Sequence, residues 1–180
     1  MQQTVLLSDK DGRFTGYAPK EECHTGDGHR HFAITVLVEN ETGEVLLQLR
    51  KHKVFDKIWD FTGSTNLLHR SDGTDETFED ATLRCLREEY EIKGEVPLRN
   101  LGSFNYFAKY GPLCENEHCA MITGEYSGRV KLNPTDGYEY RFMPKAEFLK
   151  DVKRNPKKYT PWVIPGVKVL EKAGFFKYST

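Results

Sequence analysis

The sequence predicts an α+β domain, an α/β/α sandwich in which helices cover a mixed β-sheet. Three observations carry this: apolar alternation interrupted by short turns over the first 50 residues, a capped helical stretch over 77–92, and further strand patterns that give way to helix signals after Pro144. In chain order, residues 5–7 and 14–17 read as short strands around the turn Asp9-Lys10-Asp11-Gly12. Phe32, Ile34, Val36 and Val38 alternate through a third strand, and Asn40-Glu41-Thr42-Gly43 turns the chain into a fourth over 45–49. Thr77, with Asp80 three residues on, opens a helix through a capping-box pattern. Strand patterns follow at 102–109, 117–126 and 138–142. Pro144 suits the first turn of a helix reaching about residue 154, and a last helix follows from Pro165 to Lys172.

The 180 residues, 38% of them hydrophobic, suffice for one well-buried domain and are short for two. One domain is expected over 1–180, with strands and a metal-site loop in 1–30, a loop and helix in 59–92, and the C-terminal helices in 144–180. Lys and Arg number 26 against 27 for Asp and Glu, a formal charge of −1, so no global field draws the chain to a nucleic-acid polymer or an anionic membrane. Any anion must be held locally. There is no apolar run of transmembrane length and no signal-peptide pattern, which makes a cytoplasmic protein the expectation. Cys23, Cys85, Cys114 and Cys119 lack the spacing of a disulfide framework and read as reduced thiols.

The chemistry concentrates first on the helix. Phe78, Ala81, Thr82, Cys85 and Glu89 share one face, so Glu89 ends an otherwise apolar stripe. A carboxylate there is costly to desolvate unless it is paired or binds a metal. The plainer alternative is an amphipathic helix carrying an Arg84–Glu88 ion pair. A second concentration joins His24 and His31, which flank Gly26-Asp27-Gly28, to the segment Cys114-Glu115-Asn116-Glu117-His118-Cys119. In an extended strand Glu115, Glu117 and Cys119 share a face. Two carboxylates beside two imidazoles form an N/O site for Mn²⁺, Zn²⁺ or Mg²⁺. Zinc on Cys114, His118 and Cys119 is a rival, although that spacing fits no finger pattern.

The stretch from Trp59-Asp60-Phe61-Thr62-Gly63-Ser64 through Glu76 to Arg84-Cys85-Leu86-Arg87-Glu88-Glu89-Tyr90-Glu91-Ile92 resembles the Nudix box. It departs from that motif where Cys85 replaces a Glu often used in catalysis, Glu91 replaces a Gly, and Arg70 occupies an expected Gly position. The resemblance implies a Nudix fold and Mg²⁺ or Mn²⁺ positioned on a small-molecule diphosphate by Glu76, Glu88 and Glu89. From about residue 5 to 162 the chain also resembles type 1 isopentenyl-diphosphate isomerase, itself of Nudix fold. That likeness implies a metal site of His24, His31, Glu115 and Glu117, with a second divalent ion such as Zn²⁺ or Mn²⁺ there. It implies Lys20 four residues before the first His, and Arg50, Lys51 and Lys53 for the diphosphate. Tyr106 would work with Glu117 on the proton, Trp162 of Thr160-Pro161-Trp162 would wall the hydrocarbon pocket, and Glu89 would hold Mg²⁺. Arg50 to Lys53 can equally be a solvated hairpin exit, and Tyr106 and Trp162 core aromatics.

Two departures bear on the reaction. Counting from Trp59, Ser64 stands where the isomerase has its catalytic Cys and Asn66 where it has a further metal-binding His; a loop insertion bringing in His69 would restore an imidazole. An alcohol scarcely ionises near neutrality, whereas a thiol has a pKa of about 8.5. Metal-dependent diphosphate hydrolysis is therefore the first expectation, with Glu115 or Glu117 as base in place of the missing carboxylate at Cys85. Isomerisation through Glu117, Tyr106 and Ser64 is the alternative, and a non-catalytic diphosphate sensor a third.

Overall fold

The computed structural model describes residues 2–177, so Met1 and residues 178–180 of the expected domain lie outside the described residues. Its elements are β1 (Thr4–Ser8), β2 (Phe14–Pro19), α1 (Lys20–Cys23), β3 (His31–Glu39), β4 (Glu44–Arg50), β5 (Trp59–Asp60), β6 (Gly63–Asn66), β7 (Leu68–His69), α2 (Phe78–Tyr90), β8 (Leu98–Tyr110), β9 (Leu113–Glu125), β10 (Gly137–Pro144), α3 (Lys145–Arg154) and α4 (Val163–Lys172). The strands form one mixed ten-stranded sheet. β3 is its spine. It runs parallel to β9 from His31↔Glu117 to Glu39↔Glu125 and antiparallel to β6 on its other side.

Helices cover both faces, as the sandwich requires. On one face Phe32, Ile34, Val36, Val38 and Leu46 pack against Ala81, Cys85, Leu86 and Tyr90 of α2. On the other, Leu37, Leu47, Phe61 and Met121 pack against Phe148 of α3 and Val163, Val167 and Leu170 of α4. Fully burying one such aliphatic or aromatic side chain contributes about 1.5–3 kcal/mol, so these two layers hold the sheet between them. Thr77 caps α2 by accepting from the Asp80 N–H while Asp80 accepts from the Thr77 N–H, the reciprocal box that the sequence predicts. The helix stops at Tyr90 rather than Ile92 because Glu91 adopts the left-handed conformation, φ 54°.

Residues 59–69, which read as a loop, instead form three short strands. Side chains hold them in place: Thr62 donates to the Leu46 carbonyl and accepts from the Val38 N–H, and Tyr90 donates to the Thr62 carbonyl. β8 and β9 are longer than predicted, thirteen residues each: an irregularity between Asn100 and Ser103 lets β8 pair past Gly102, and β9 starts at Leu113, paired with Tyr110 across a tight hairpin. Among the described residues no helix is long and apolar enough to cross a membrane.

Candidate active site

The parallel register of β3 and β9 sets His31 directly beside Glu117, and Glu115 follows two residues earlier on the same face. His24 arrives from the end of α1, and the loop that returns from it to β3 turns at Gly28, φ 55°. A Cβ at Gly28 would lie 2.0 Å from the Cys23 carbonyl oxygen, so only glycine closes this loop. The imidazole rings of His24 and His31 stand 4.7 Å apart. His24 Nε2 is 3.3 Å from Glu115 Oε2, and His31 Nε2 is 3.5 Å from Glu117 Oε1. Ligand atoms of all four residues fall within 4.8 Å of one another.

Both imidazoles are oriented from behind. His24 Nδ1 lies 2.6 Å from the Lys20 carbonyl oxygen and His31 Nδ1 2.8 Å from that of His29. A carbonyl accepts only, so each Nδ1 carries a proton, and Nε2, facing the carboxylates, is the nitrogen left to bind a metal. His31 Nε2 is buried and without a hydrogen-bond partner. An orphaned imidazole nitrogen amid two buried carboxylates fits a divalent cation, and the carbonyl contacts are the usual outer support of metal-binding histidines. Desolvation pushes the His24 pKa down, but the hydrogen bond and charge of Glu115 outweigh it and hold it raised. Desolvation likewise opposes ionisation of Glu117, yet His31, Tyr106 and His24 hold its carboxyl below the usual value.

Glu117 is the junction of the site. Tyr106, its register partner on β8, donates its hydroxyl to Oε2, and Asn66 of β6 donates from Nδ2 to Oε1 at 3.0 Å. Burial, then the Glu117 charge, pushes the Tyr106 phenol well above its ordinary value, so it remains protonated. Ser64, two residues before Asn66 and paired with Thr35, donates to Thr35 Oγ1 at 3.0 Å. Trp162 closes the other side, its ring 5.7 Å from Tyr106 and 5.5 Å from Phe55, with the Arg50 guanidinium 4.9 Å from its centre. Arg50 Nη1 donates to Asp60 Oδ2 at 3.0 Å, while Trp162 Nε1 and Thr160 Oγ1 donate to Asp60 Oδ1 at 2.7 and 2.9 Å. Lys20 is partly buried; desolvation lowers its pKa, with Glu115 and Glu117 opposing and Arg84 and Arg50 reinforcing that effect.

The helix carboxylates are dispersed. Arg84 clamps Glu76 through Nε–Oε1 at 2.7 Å and Nη2–Oε2 at 2.9 Å, and Oε2 also accepts from the Leu68 N–H. Glu88 is exposed and sits 3.5 Å from Arg84, the ion pair of the plainer alternative. Glu89 also turns inward, accepting from Gln48 Nε2 at 2.8 Å and from the Cys85 thiol at 3.2 Å. Desolvation pushes its carboxyl up to about 7. Among the described residues Glu76, Glu88 and Glu89 form no metal-binding group, nor do Cys114, His118 and Cys119. His69 is not brought to this site: its Nδ1 is 2.6 Å from Asp75, and its ring lies tilted against Tyr17, 4.4 Å between centroids.

The basic run also divides. Arg50 is buried at the site, whereas Lys51 turns to the Pro134 carbonyl and Lys53 is exposed. His52, within the same run, feels the site: desolvation and then Arg50 push its pKa down to about 4. Asp60, Gln48 and Asn66 also escaped sequence reasoning. The available signal was an acid and two amides within strand segments, where a polar side chain needs a buried partner.

The NUDIX domain family matches residues 29–163. The chain is 30% identical over 165 residues to isopentenyl-diphosphate delta-isomerase of Paenarthrobacter aurescens strain TC1, covering 89% of this chain and 86% of that protein. It is 29% identical over 166 residues to isopentenyl-diphosphate delta-isomerase 2 of Aromatoleum aromaticum, with 91% and 84% covered. Its fold is similar to that of the MutT protein from Methanosarcina mazei Go1, with a TM-score of 0.62 at 17% identity over 79% of this chain and 94% of that one. The chain thus belongs to the Nudix family, as an enzyme of its diphosphate-hydrolase or isomerase-like kind.

Proposed function

We propose that the chain is a divalent-metal-dependent enzyme acting on a small organic diphosphate, and that its reaction is proton transfer at carbon, of the kind that interconverts isopentenyl and dimethylallyl diphosphate. The observation that carries this is the Tyr106–Glu117 pair, seated beside His24, His31 and Glu115 and facing the aromatic wall of Trp162. Hydrolysis, the first expectation from sequence, loses support because Glu76 is occupied by Arg84 and Glu88 faces solvent. The relatives' names favour the same choice.

His24, His31, Glu115 and Glu117 would hold Mn²⁺, Zn²⁺ or Mg²⁺, and Glu89 would offer a carboxylate to Mg²⁺ carried with the diphosphate. A cation at the first site supplies fixed positive charge that eases proton release from the groups around it. Arg50 and Lys20 offset the diphosphate charge. Trp162 and Tyr106 wall the organic group and exclude water from it. Isomerisation adds one proton to carbon and removes one from another, with no net redox change. The ionised Glu117 carboxylate would take the proton leaving one carbon, the protonated Tyr106 would supply the proton gained by the other, and the hydrogen bond at Oε2 would return the proton from Glu117 to Tyr106. Ser64 is bypassed: its hydroxyl donates to Thr35, which in turn donates to the Gly63 carbonyl, and neither acceptor is a base strong enough to ionise an alcohol.

Hydrolysis is kept as a second reading by Glu89, whose carboxyl at about 7 is matched to activating water near neutrality. Proton and phosphorus NMR of the protein with isopentenyl diphosphate and Mg²⁺ or Mn²⁺ separates the two. Dimethylallyl signals with the diphosphate intact are expected. Released phosphate would replace isomerisation by hydrolysis, and silence with measurable binding would favour a sensor.

A further inference from the structure

Asp60 is fully buried, yet three side chains from three places in the fold converge on it: Arg50 at the end of β4, Thr160 before α4, and Trp162 at the α4 N-terminus. The Phe61 N–H adds a fourth hydrogen bond at 2.8 Å. Desolvation pushes the Asp60 carboxyl up, and these donors oppose it. Arg50 is itself nearly buried, and its Nε has no hydrogen-bond partner. A buried guanidinium held at Nη1, lying over an indole and otherwise short of acceptors, is a cation kept for a ligand anion.

We propose that Asp60 is a positioning residue that locks Arg50 and Trp162 into one unit, so that the diphosphate cation and the wall of the organic pocket are set by a single carboxylate. This rests on the diphosphate reading given above. Asp60 touches no substrate. Its effect is transmitted through the Nη1 bond to Arg50 and the Nε1 bond from Trp162. An Asn at position 60 would set an NH₂ group against N–H donors, so at least one of the present hydrogen bonds is lost.

The sign of the effect separates geometry from charge. Removing a negative charge beside Arg50 would by itself tighten an anion. Loss of the Arg50 orientation weakens it, by about tenfold if one charge-assisted hydrogen bond to the ligand is lost. The test is calorimetric titration of the full chain with inorganic diphosphate and Mg²⁺, for wild type, Asp60→Asn, Arg50→Ala and the double variant, with thermal unfolding as the control for folding. We expect about tenfold weaker binding for Asp60→Asn and less than about twofold further effect of that change in the Arg50→Ala background. Unchanged or tighter binding by folded Asp60→Asn, while Arg50→Ala weakens it, would overturn the positioning role and leave the diphosphate reading standing. Unchanged binding in Arg50→Ala would overturn both. Should Asp60→Asn fail to fold, Thr160→Val removes one donor from the carboxylate without touching Arg50; a loss of about two- to threefold supports the role and wild-type affinity refutes it.

Discussion

At Gly63 β6 comes close against α2, and replacing it with Ala tests how Glu89 is held in place. Its backbone is outside the left-handed region, so Ala is not excluded by conformation. The obstacle is space: a Cβ at Gly63 would sit 2.6 Å from Cys85 Sγ and 3.2 Å from Glu89 Oε2. Ordinary contact needs about 3.5–4.0 Å, so α2 must retreat by about an ångström or the thiol must rotate, and either disturbs the Cys85–Glu89 bond. Overpacking of this size costs about 1–3 kcal/mol, a fall in Tm of about 2–4 °C per kcal/mol for a chain of this length. Cys85→Ala removes the obstructing sulfur and leaves room for the new methyl group. Gly63→Ala should therefore cost at least about 1 kcal/mol less in the Cys85→Ala background than alone, measured by urea unfolding with matched m-values. A coupling within about 0.5 kcal/mol of zero would refute the close approach as the reason for glycine.

Glu117→Gln should lower the isomerisation rate by about 10²- to 10⁴-fold with unchanged unfolding, and a rate within a few-fold of wild type would remove Glu117 from the proton path. Mn²⁺ or Zn²⁺ at about 100 times its Kd should stabilise the fold by about 2.7 kcal/mol, seen as a rise in Tm that chelator reverses; an equal rise in His31→Ala would place the ion elsewhere. Asp151 provides a pH signature. Desolvation raises its carboxyl, but hydrogen bonds from Lys158, Tyr159 and Asn155 outweigh this and hold it at about 2, below the ordinary 3.8. A depressed carboxylate stabilises above the unfolded value and loses that contribution as pH falls from about 4 to about 2. After allowing for solvent screening, Asp151→Asn should cost about 1 kcal/mol at pH 7, a deficit that closes below pH 2 in acid-unfolding curves; a deficit independent of pH would contradict it.

Periodicity made the long elements legible: β3, β4, α2 and α4 follow the apolar spacing of their residues because each buries a continuous face. β5, β6 and β7 escaped because the two-residue strands Trp59–Asp60 and Leu68–His69 are too short to show alternation, the Gly-Ser-Thr-Asn of β6 carries none, and Thr62 and Tyr90 hold this stretch through side-chain bonds. In the site, the Glu115–Glu117 spacing was readable from strand geometry, and His24 with His31 from their flexible loop; the four meet in the structure. The split of the basic run was not readable, since it depends on Asp60 capturing Arg50 while Lys51 finds the Pro134 carbonyl. Asn66 was passed over as a departure from a histidine pattern. Its amide nevertheless braces Glu117, a role that any side chain donating at that register position could fill.

The parallel pairing of β3 with β9 ties the proposed metal site to folding order. No short turn can join parallel neighbours, and here the intervening chain holds six other elements. Loop-closure entropy must therefore be met before His31 and Glu117 become neighbours, so the proposed cation site would be completed by the slow, non-local part of the fold. Register is equally demanding. A slip of one residue along β9 would turn Glu115 and Glu117 to the opposite face and bring Asn116 and His118 to the histidines instead. A cation that discriminates carboxylates from an amide and an imidazole would thus act as a proofreader of strand alignment, retaining chains whose central pair has zipped correctly and leaving misaligned ones without its stabilisation.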